Sequence, residues 1–65
     1  MKIILNGDAR EVRAASLSAA LDELGFAGAV VATAVNGEFV SADARAATSL
    51  SDGDALEVLA PMQGG

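Results

Sequence analysis

The chain has no cysteine, histidine, tyrosine or tryptophan, and only one proline and two phenylalanines in 65 residues. Each absence removes a class of chemistry. Without cysteine there is no disulfide, no zinc-thiolate site and no thiol nucleophile. Without histidine, the side chain that most often carries general acid-base catalysis is missing, and none of the seven serines and threonines has an imidazole to activate it. Catalysis would have to rest on carboxylates, Lys2 or the arginines, so the chain reads as something other than a self-sufficient enzyme. Basic residues are also scarce. Four lysines and arginines stand against nine acids, for a net charge of −5. Nucleic acid is excluded as the expected partner, since phosphate binding needs a basic face, and a partner with a basic surface is favoured instead. No apolar run approaches the roughly 20 residues of a membrane span. The opening "MKIILNGDAREV" carries one lysine and a short apolar run broken at Asn6-Gly7, unlike a signal peptide. The expected location is cytoplasmic, with no membrane partner.

What is present is apolar and small. Hydrophobic residues make up 52% of the chain, and 15 of them are alanine, so the core must be thin and built from a few Leu, Ile and Val side chains. A domain of this length buries only about 60% of its unfolded surface and is marginally stable.

Hydrophobic periodicity orders the chain. "KIIL" places Lys2 and Ile4 on one side of a strand and Ile3 and Leu5 on the other. Asn6-Gly7 is a hairpin turn signal because both residues tolerate positive φ. The return strand carries Val12, giving expected strands at about 2–6 and 9–14. Ser16 is placed to cap a helix over 17–24, in which Leu17, Ala20, Leu21 and Leu24 share one face, and Gly25 stands at the C-cap position. Val30, Val31, Thr33 and Val35 favour strand, Asn36-Gly37 turns the chain, and Phe39-Val40 returns it. "SADARAATSLS" is a polar, alanine-rich connection with one helical turn expected. "SDGDALE" brings Asp52, Asp54 and Glu57 together but lacks the calcium-loop spacing; it reads as a turn, and no metal site is assigned. "ALEVLA" is the last strand, apolar enough to be covered or paired on both sides, and Pro61 ends its pairing. The order β-β-α-β-β-β, with no repeat or linker, is an α+β layout of one helix across one sheet face.

The tail "PMQGG" then follows directly. Five extended residues reach roughly 17 Å. Gly64 and Gly65 have no side chains, so they fit a channel too narrow for any other residue and present a terminal carboxylate inside it. That carboxylate is ionised at neutral pH and is a poor electrophile. Activated as an acyl-adenylate from ATP by another protein, it becomes an acyl donor. A sulfur nucleophile that displaces AMP leaves a thiocarboxylate. Two glycines at a chain end are equally compatible with an inert terminus.

The stretches "LNG", "SLSAALDELG", "VATAVNGEFV", "LSDGDALEVL" and the terminal "GG", in this order and over the whole chain, resemble the ThiS-type sulfur carriers of thiamine biosynthesis, which are β-grasp (ubiquitin-like) proteins. The resemblance implies a mixed sheet of four to five strands, with first and last strands parallel neighbours and one helix packed across it. It implies a single domain over 1–65 with a flexible tail at 61–65. It implies a protein substrate rather than a catalyst, with no bound cofactor. Gly65 would be adenylated by an ATP-dependent adenylyltransferase resembling ubiquitin-activating enzymes, with Gly64, Gln63 and Met62 entering that partner. Sulfur would come from a cysteine desulfurase and pass to thiazole synthase. The chain departs from the family after the second Asn-Gly turn, where Pro-Arg is frequent and Ser41-Ala42 stands here. The small subunit of molybdopterin synthase has the same fold and tail chemistry but is usually longer. A lysine-linked protein modifier and a plain interaction domain are the remaining readings.

The expected core sets Ile3, Leu5, Val12, Leu56 and Val58 against Leu17, Ala20, Leu21 and Leu24. Ile4 and Leu59 point to the opposite side. With strand three in the register that turns Val35 the same way, Ile4, Val35 and Leu59 form the expected partner-binding patch. Support of a thin sheet is the alternative role for these side chains.

Overall fold

The computed structural model describes residues 1–60. Five strands and one α-helix follow the expected order: β1 Lys2–Leu5, β2 Asp8–Glu11, α1 Leu17–Glu23, β3 Ala32–Val35, β4 Glu38–Val40 and β5 Ala55–Leu59, with a 3-10 helix at Ala42–Ala47 before β5. The sheet is mixed, in the order β2-β1-β5-β3-β4. β1 and β5 are the parallel pair, with Ile4 beside Ala55 and Leu5 beside Leu56. The neighbours β1–β2, β3–β4 and β3–β5 are antiparallel.

Both hairpins close through two-residue loops. Asn6 and Gly7 have φ of 48° and 89°, and Asn36 and Gly37 have φ of 51° and 84°. These left-handed pairs match the twist of antiparallel strands, and they set the registers Leu5↔Asp8 and Val35↔Glu38. Met1 and Val12 exchange main-chain hydrogen bonds of 2.8 Å in both directions, so pairing runs one residue beyond the two strands.

The helix begins where the Ser16 hydroxyl accepts from the Ala19 N–H at 3.2 Å. It ends in a double-bonded glycine cap: the Gly25 N–H reaches the Asp22 carbonyl, and the Phe26 N–H reaches the Leu21 carbonyl at 2.8 Å. Gly25 holds φ 95°, a conformation costly for residues with a Cβ. The Glu23 carboxylate accepts from the main-chain N–H groups of Arg13 and Ala14 at 3.0–3.1 Å, tying the entry loop to the helix end.

The core lies between α1 and one sheet face and comprises Ile3, Leu5, Val12, Leu17, Ala20, Leu21, Leu50, Leu56 and Val58. Leu24 and Phe26 are half-buried against it. Leu50 joins because residues 48–50 run beside 15–17, with Ser16 bridged to Ser49 and the Leu50 N–H on the Ala15 carbonyl. The polar member of this interior is Thr33, 1% exposed. Its hydroxyl donates to the Val40 carbonyl at 2.8 Å and accepts from Arg45 Nε at 3.1 Å. Arg45 Nη2 donates to the Val31 carbonyl at 2.6 Å, so one guanidinium fastens the 3-10 helix to β3.

Two expectations are corrected. Val30 and Val31 are not strand residues: Ala32 already pairs with Leu59, the last residue of β5, so the ladder has no partner strand for them among the described residues. The connection before β5 makes a six-residue 3-10 helix rather than a single turn. β5 is paired along both edges, as its apolar sequence led us to expect, and its residues alternate: Leu56 and Val58 are buried while Ala55, Glu57 and Leu59 are exposed. The nearly continuous apolar run hid an ordinary strand alternation. The Asp52-Gly53 segment is a turn, with the Asp54 carboxylate accepting from the Ser51 N–H at 2.7 Å and from the Asn36 amide at 3.0 Å. These bonds, the Asn36 one foremost, hold the Asp54 pKa below its ordinary value. No helix among the described residues is long and apolar enough to cross a membrane.

Candidate functional site

The expected tail residues Met62, Gln63, Gly64 and Gly65, with Pro61 before them, lie outside the described residues. The structure does describe the platform from which they continue. β5 is the central strand, and its C-terminal end delivers Leu59 and Ala60 to one edge of the molecule.

Register decides which side chains share the uncovered face with Leu59. In β5 that face carries Ala55, Glu57 and Leu59. The parallel partner of Ala55 is Ile4, and Ile4 in turn faces Ala9 of β2. Across the other edge, Leu59 faces Ala32, Glu57 faces Ala34, and Ala34 faces Phe39. Opposed residues in a ladder point to the same side. The open face is therefore a floor of alanines from which Ile4, Leu59 and Phe39 stand out, with Glu57 among them. Phe39 is 72% exposed and Leu59 65%. Ile4 is half-buried.

Val35 does not belong to this face. Its opposite residue is Leu56, which is wholly buried, so Val35 points toward the helix and packs half-buried against the core. The Asn36-Gly37 loop fixes how β3 meets β4, but the face each β3 residue takes is set by its pairing with β5, a contact between residues far apart in sequence. The same pairing places Phe39 on the open face, where no expectation had put it. The available signal was the alternation of Phe39 with Val40, which separates their sides without saying which side is which.

A second feature adjoins Leu59. Val30, Val31, Ala32, Leu59 and Ala60 line an open apolar cleft of about 260 Å³. Val30, one of these lining residues, is 79% exposed. Arg45 holds the Val31 carbonyl and so steadies the main chain behind the cleft. Large apolar side chains at this exposure, grouped beside one cleft, make it a candidate contact surface. The described residues contain no group of three or more acidic side chains placed to hold a metal ion.

The Asn6 carboxamide also lies at this end of β5. Its Oδ1 accepts from the Val58 N–H at 2.9 Å and its Nδ2 donates to the Val58 carbonyl at 3.1 Å.

The family model that matches the chain is that of the ThiS family, over residues 3–65. Among solved structures, the crystal structure of a thiamine biosynthesis protein, ThiS, from Geobacter metallireducens is similar at 36% identity and a TM-score of 0.84, covering 100% of both chains. An NMR solution structure of a thiamine biosynthesis protein from the same organism is similar at 35% identity and a TM-score of 0.78, covering 100% of this chain and 88% of the other. Comparison with curated proteins gives no match. A family match from Ile3 to the last residue and a shared fold over the full length agree with the β-grasp topology described above: the chain belongs to the ThiS family.

Proposed function

We propose that this protein is a sulfur carrier for thiazole formation in thiamine biosynthesis, acting as a protein substrate and not as a catalyst. The observation that carries this reading, beside family membership, is the convergence of exposed apolar surface on the end of β5 from which residues 61–65 continue. Ile4, Leu59 and Phe39 form the docking surface for an ATP-dependent adenylyltransferase resembling ubiquitin-activating enzymes. The excess of acids over basic residues favours a partner with a basic surface. Docking there brings Met62 and Gln63 across the gap, and Gly64 and Gly65 into the nucleotide pocket. The Gly65 carboxylate attacks the α-phosphate of ATP and expels pyrophosphate. A persulfide sulfur supplied through a cysteine desulfurase then displaces AMP to give an acyl disulfide, a thiol reductant cleaves its S–S bond, and the freed thiocarboxylate gives its sulfur to thiazole synthase. The chain's own contribution is to present a carboxylate on a strip without side chains. The bond-making groups belong to the partners, in keeping with a sequence without histidine or cysteine.

The test is intact mass after incubation with ATP, cysteine, a desulfurase and a candidate adenylyltransferase. The full chain is expected to gain the mass difference of one sulfur for one oxygen. Deletion of Gly65 is expected to abolish that gain and leave the melting temperature unchanged, because terminal residues contribute little to the core. A deletion variant that still acquires the thiocarboxylate would sink the proposal. Incubating the loaded protein with thiazole synthase or with molybdopterin synthase in turn identifies the acceptor.

A further inference from the structure

The two Asn-Gly turns do more than reverse the chain. Each lies beside the central strand β5, on opposite edges and at opposite ends, and each uses its asparagine side chain as a substitute peptide group. On the β1 side, the Ile4 N–H donates to the Asp54 carbonyl at 2.8 Å and the Asn6 N–H to the Leu56 carbonyl at 2.9 Å, the regular steps of a parallel ladder. The next step would have the Asn6 main-chain carbonyl accept from Val58. At φ 48° the chain has already entered its turn, and the side-chain carbonyl accepts that bond instead, while Nδ2 satisfies the Val58 carbonyl. On the β3 side, the Asn36 N–H donates to the Ala55 carbonyl at 2.8 Å, and Asn36 Oδ1 accepts from the Ala55 N–H at 3.0 Å. Among residues that tolerate positive φ, asparagine alone offers both a donor and an acceptor on one planar amide; aspartate lacks the donor and glycine lacks both.

The consequences at the two ends differ. Asn36 secures the start of β5, which the Ser51–Asp54 and Lys2–Asp52 hydrogen bonds hold as well. Asn6 secures the end of β5. Beyond Leu56, β1 has turned away, and without the Asn6 carboxamide the last residues of the strand would be held by β3 alone, through Thr33↔Val58 and Ala32↔Leu59. These residues carry Leu59, one wall of the apolar cleft, and lead into the tail.

We propose that Asn6 is a positioning residue for the reactive C-terminus: its carboxamide extends the β1–β5 ladder to Val58 and so fixes the direction in which the tail leaves the docking face. This rests on the carrier reading above. An adenylyltransferase docked on the open face has its nucleotide pocket at one place, and the tail must start from a defined point to reach it. Misplacement by about 1 Å can cost on the order of a hundredfold in rate.

The test compares Asn6→Gly with Asn36→Gly. Glycine accepts the positive φ of either turn, so each change removes a side chain bridging to β5 and keeps the hairpin. Amide exchange should show Val58 losing protection in Asn6→Gly and Ala55 losing it in Asn36→Gly. In the adenylation assay, Asn6→Gly is expected to lower kcat by about ten- to a hundredfold with KM within about twofold, while Asn36→Gly leaves both within about twofold. Asn6→Asp, which keeps the acceptor and loses the donor, serves if the glycine variant does not fold, and its kcat should fall between wild type and Asn6→Gly. Equal kcat losses in the two glycine variants would reduce Asn6 to a stabilising contact and overturn the inference. So would a normal kcat in Asn6→Gly or, if that variant does not fold, in Asn6→Asp. A wild-type chain that is never adenylated overturns the carrier reading itself, a result distinct from either.

Discussion

The two faces of this sheet are made from the same strands, and neighbouring residues serve opposite ends. On the covered face Leu56 and Val58 meet Leu17, Ala20 and Leu21 in the core. On the open face, the residue next to Val58 is Leu59, an exposed apolar side chain beside a cleft. The covered face is dense and leaves no buried side-chain polar atom without a partner among the described residues. The open face is floored with alanine and few side chains protrude from it; it is the face on which we propose that a partner docks. In a chain this small, with little interior to spare, strand alternation lets core and exposed apolar residues occupy consecutive positions.

That separation is open to direct attack. Leu56→Ala should have the largest effect. Leu56 is fully buried in the central strand, and truncating such a leucine costs about 2–5 kcal/mol. In a chain of this size each kcal/mol lowers the melting temperature by about 4–8 °C, so a thermal melt reads it clearly. If a fall of that size is absent, the covered face is not the source of stability. Leu59→Asp should do the converse, raising KM for adenylation by at least about tenfold, or about 1.4 kcal/mol, with stability changed by no more than about 0.5 kcal/mol. A variant that unfolds, or one that docks normally, would erase the distinction between the faces. Ile4→Asp is the less clean probe, because Ile4 is half-buried and its change mixes both effects.

Smaller effects sharpen the comparison from outside the sheet. Glu23→Ala removes the acceptor of the Arg13 and Ala14 amides and should cost about 1 kcal/mol in a denaturant titration, without altering loading. The least effect belongs to Asp54. Its folded pKa lies below the ordinary value of 3.8, so the stabilisation it gives is complete above that value and disappears as pH falls through the lowered one. The melting-temperature difference between wild type and Asp54→Asn should therefore be steady near neutrality and shrink below about pH 4. A difference that persists unchanged into strong acid would show that the Asn36 and Ser51 bonds do not favour the charged form.

Much of this was legible before any tertiary contact was known. The Ser16 cap, the helical stripe and the Gly25 stop are local signals, and all three stand where the sequence puts them. The Asn-Gly turns are equally local. Val30 and Val31 misled because β-propensity says only that a residue tolerates a strand; whether a partner strand is present depends on where β5 ends. Val35 misled for a related reason. Alternation divides the residues of β3 into two sets, but assigning either set to the core requires the β3–β5 register, formed between segments some twenty residues apart.

The sequence by itself determined the chemistry this protein lacks, the order and type of its elements, and the glycine tail through which we propose it works. Those properties follow from residue types and from spacing within a few positions. The tertiary structure alone decided which apolar residues are core and which are surface, placing Phe39 with Ile4 and Leu59 and turning Val35 away from them. It also decided that Asn6 would reach across 52 positions to hold the end of β5. A side chain's face, and a carboxamide's use as a stand-in for the main chain, are set by long-range pairing, and no local pattern encodes which strand will arrive beside it.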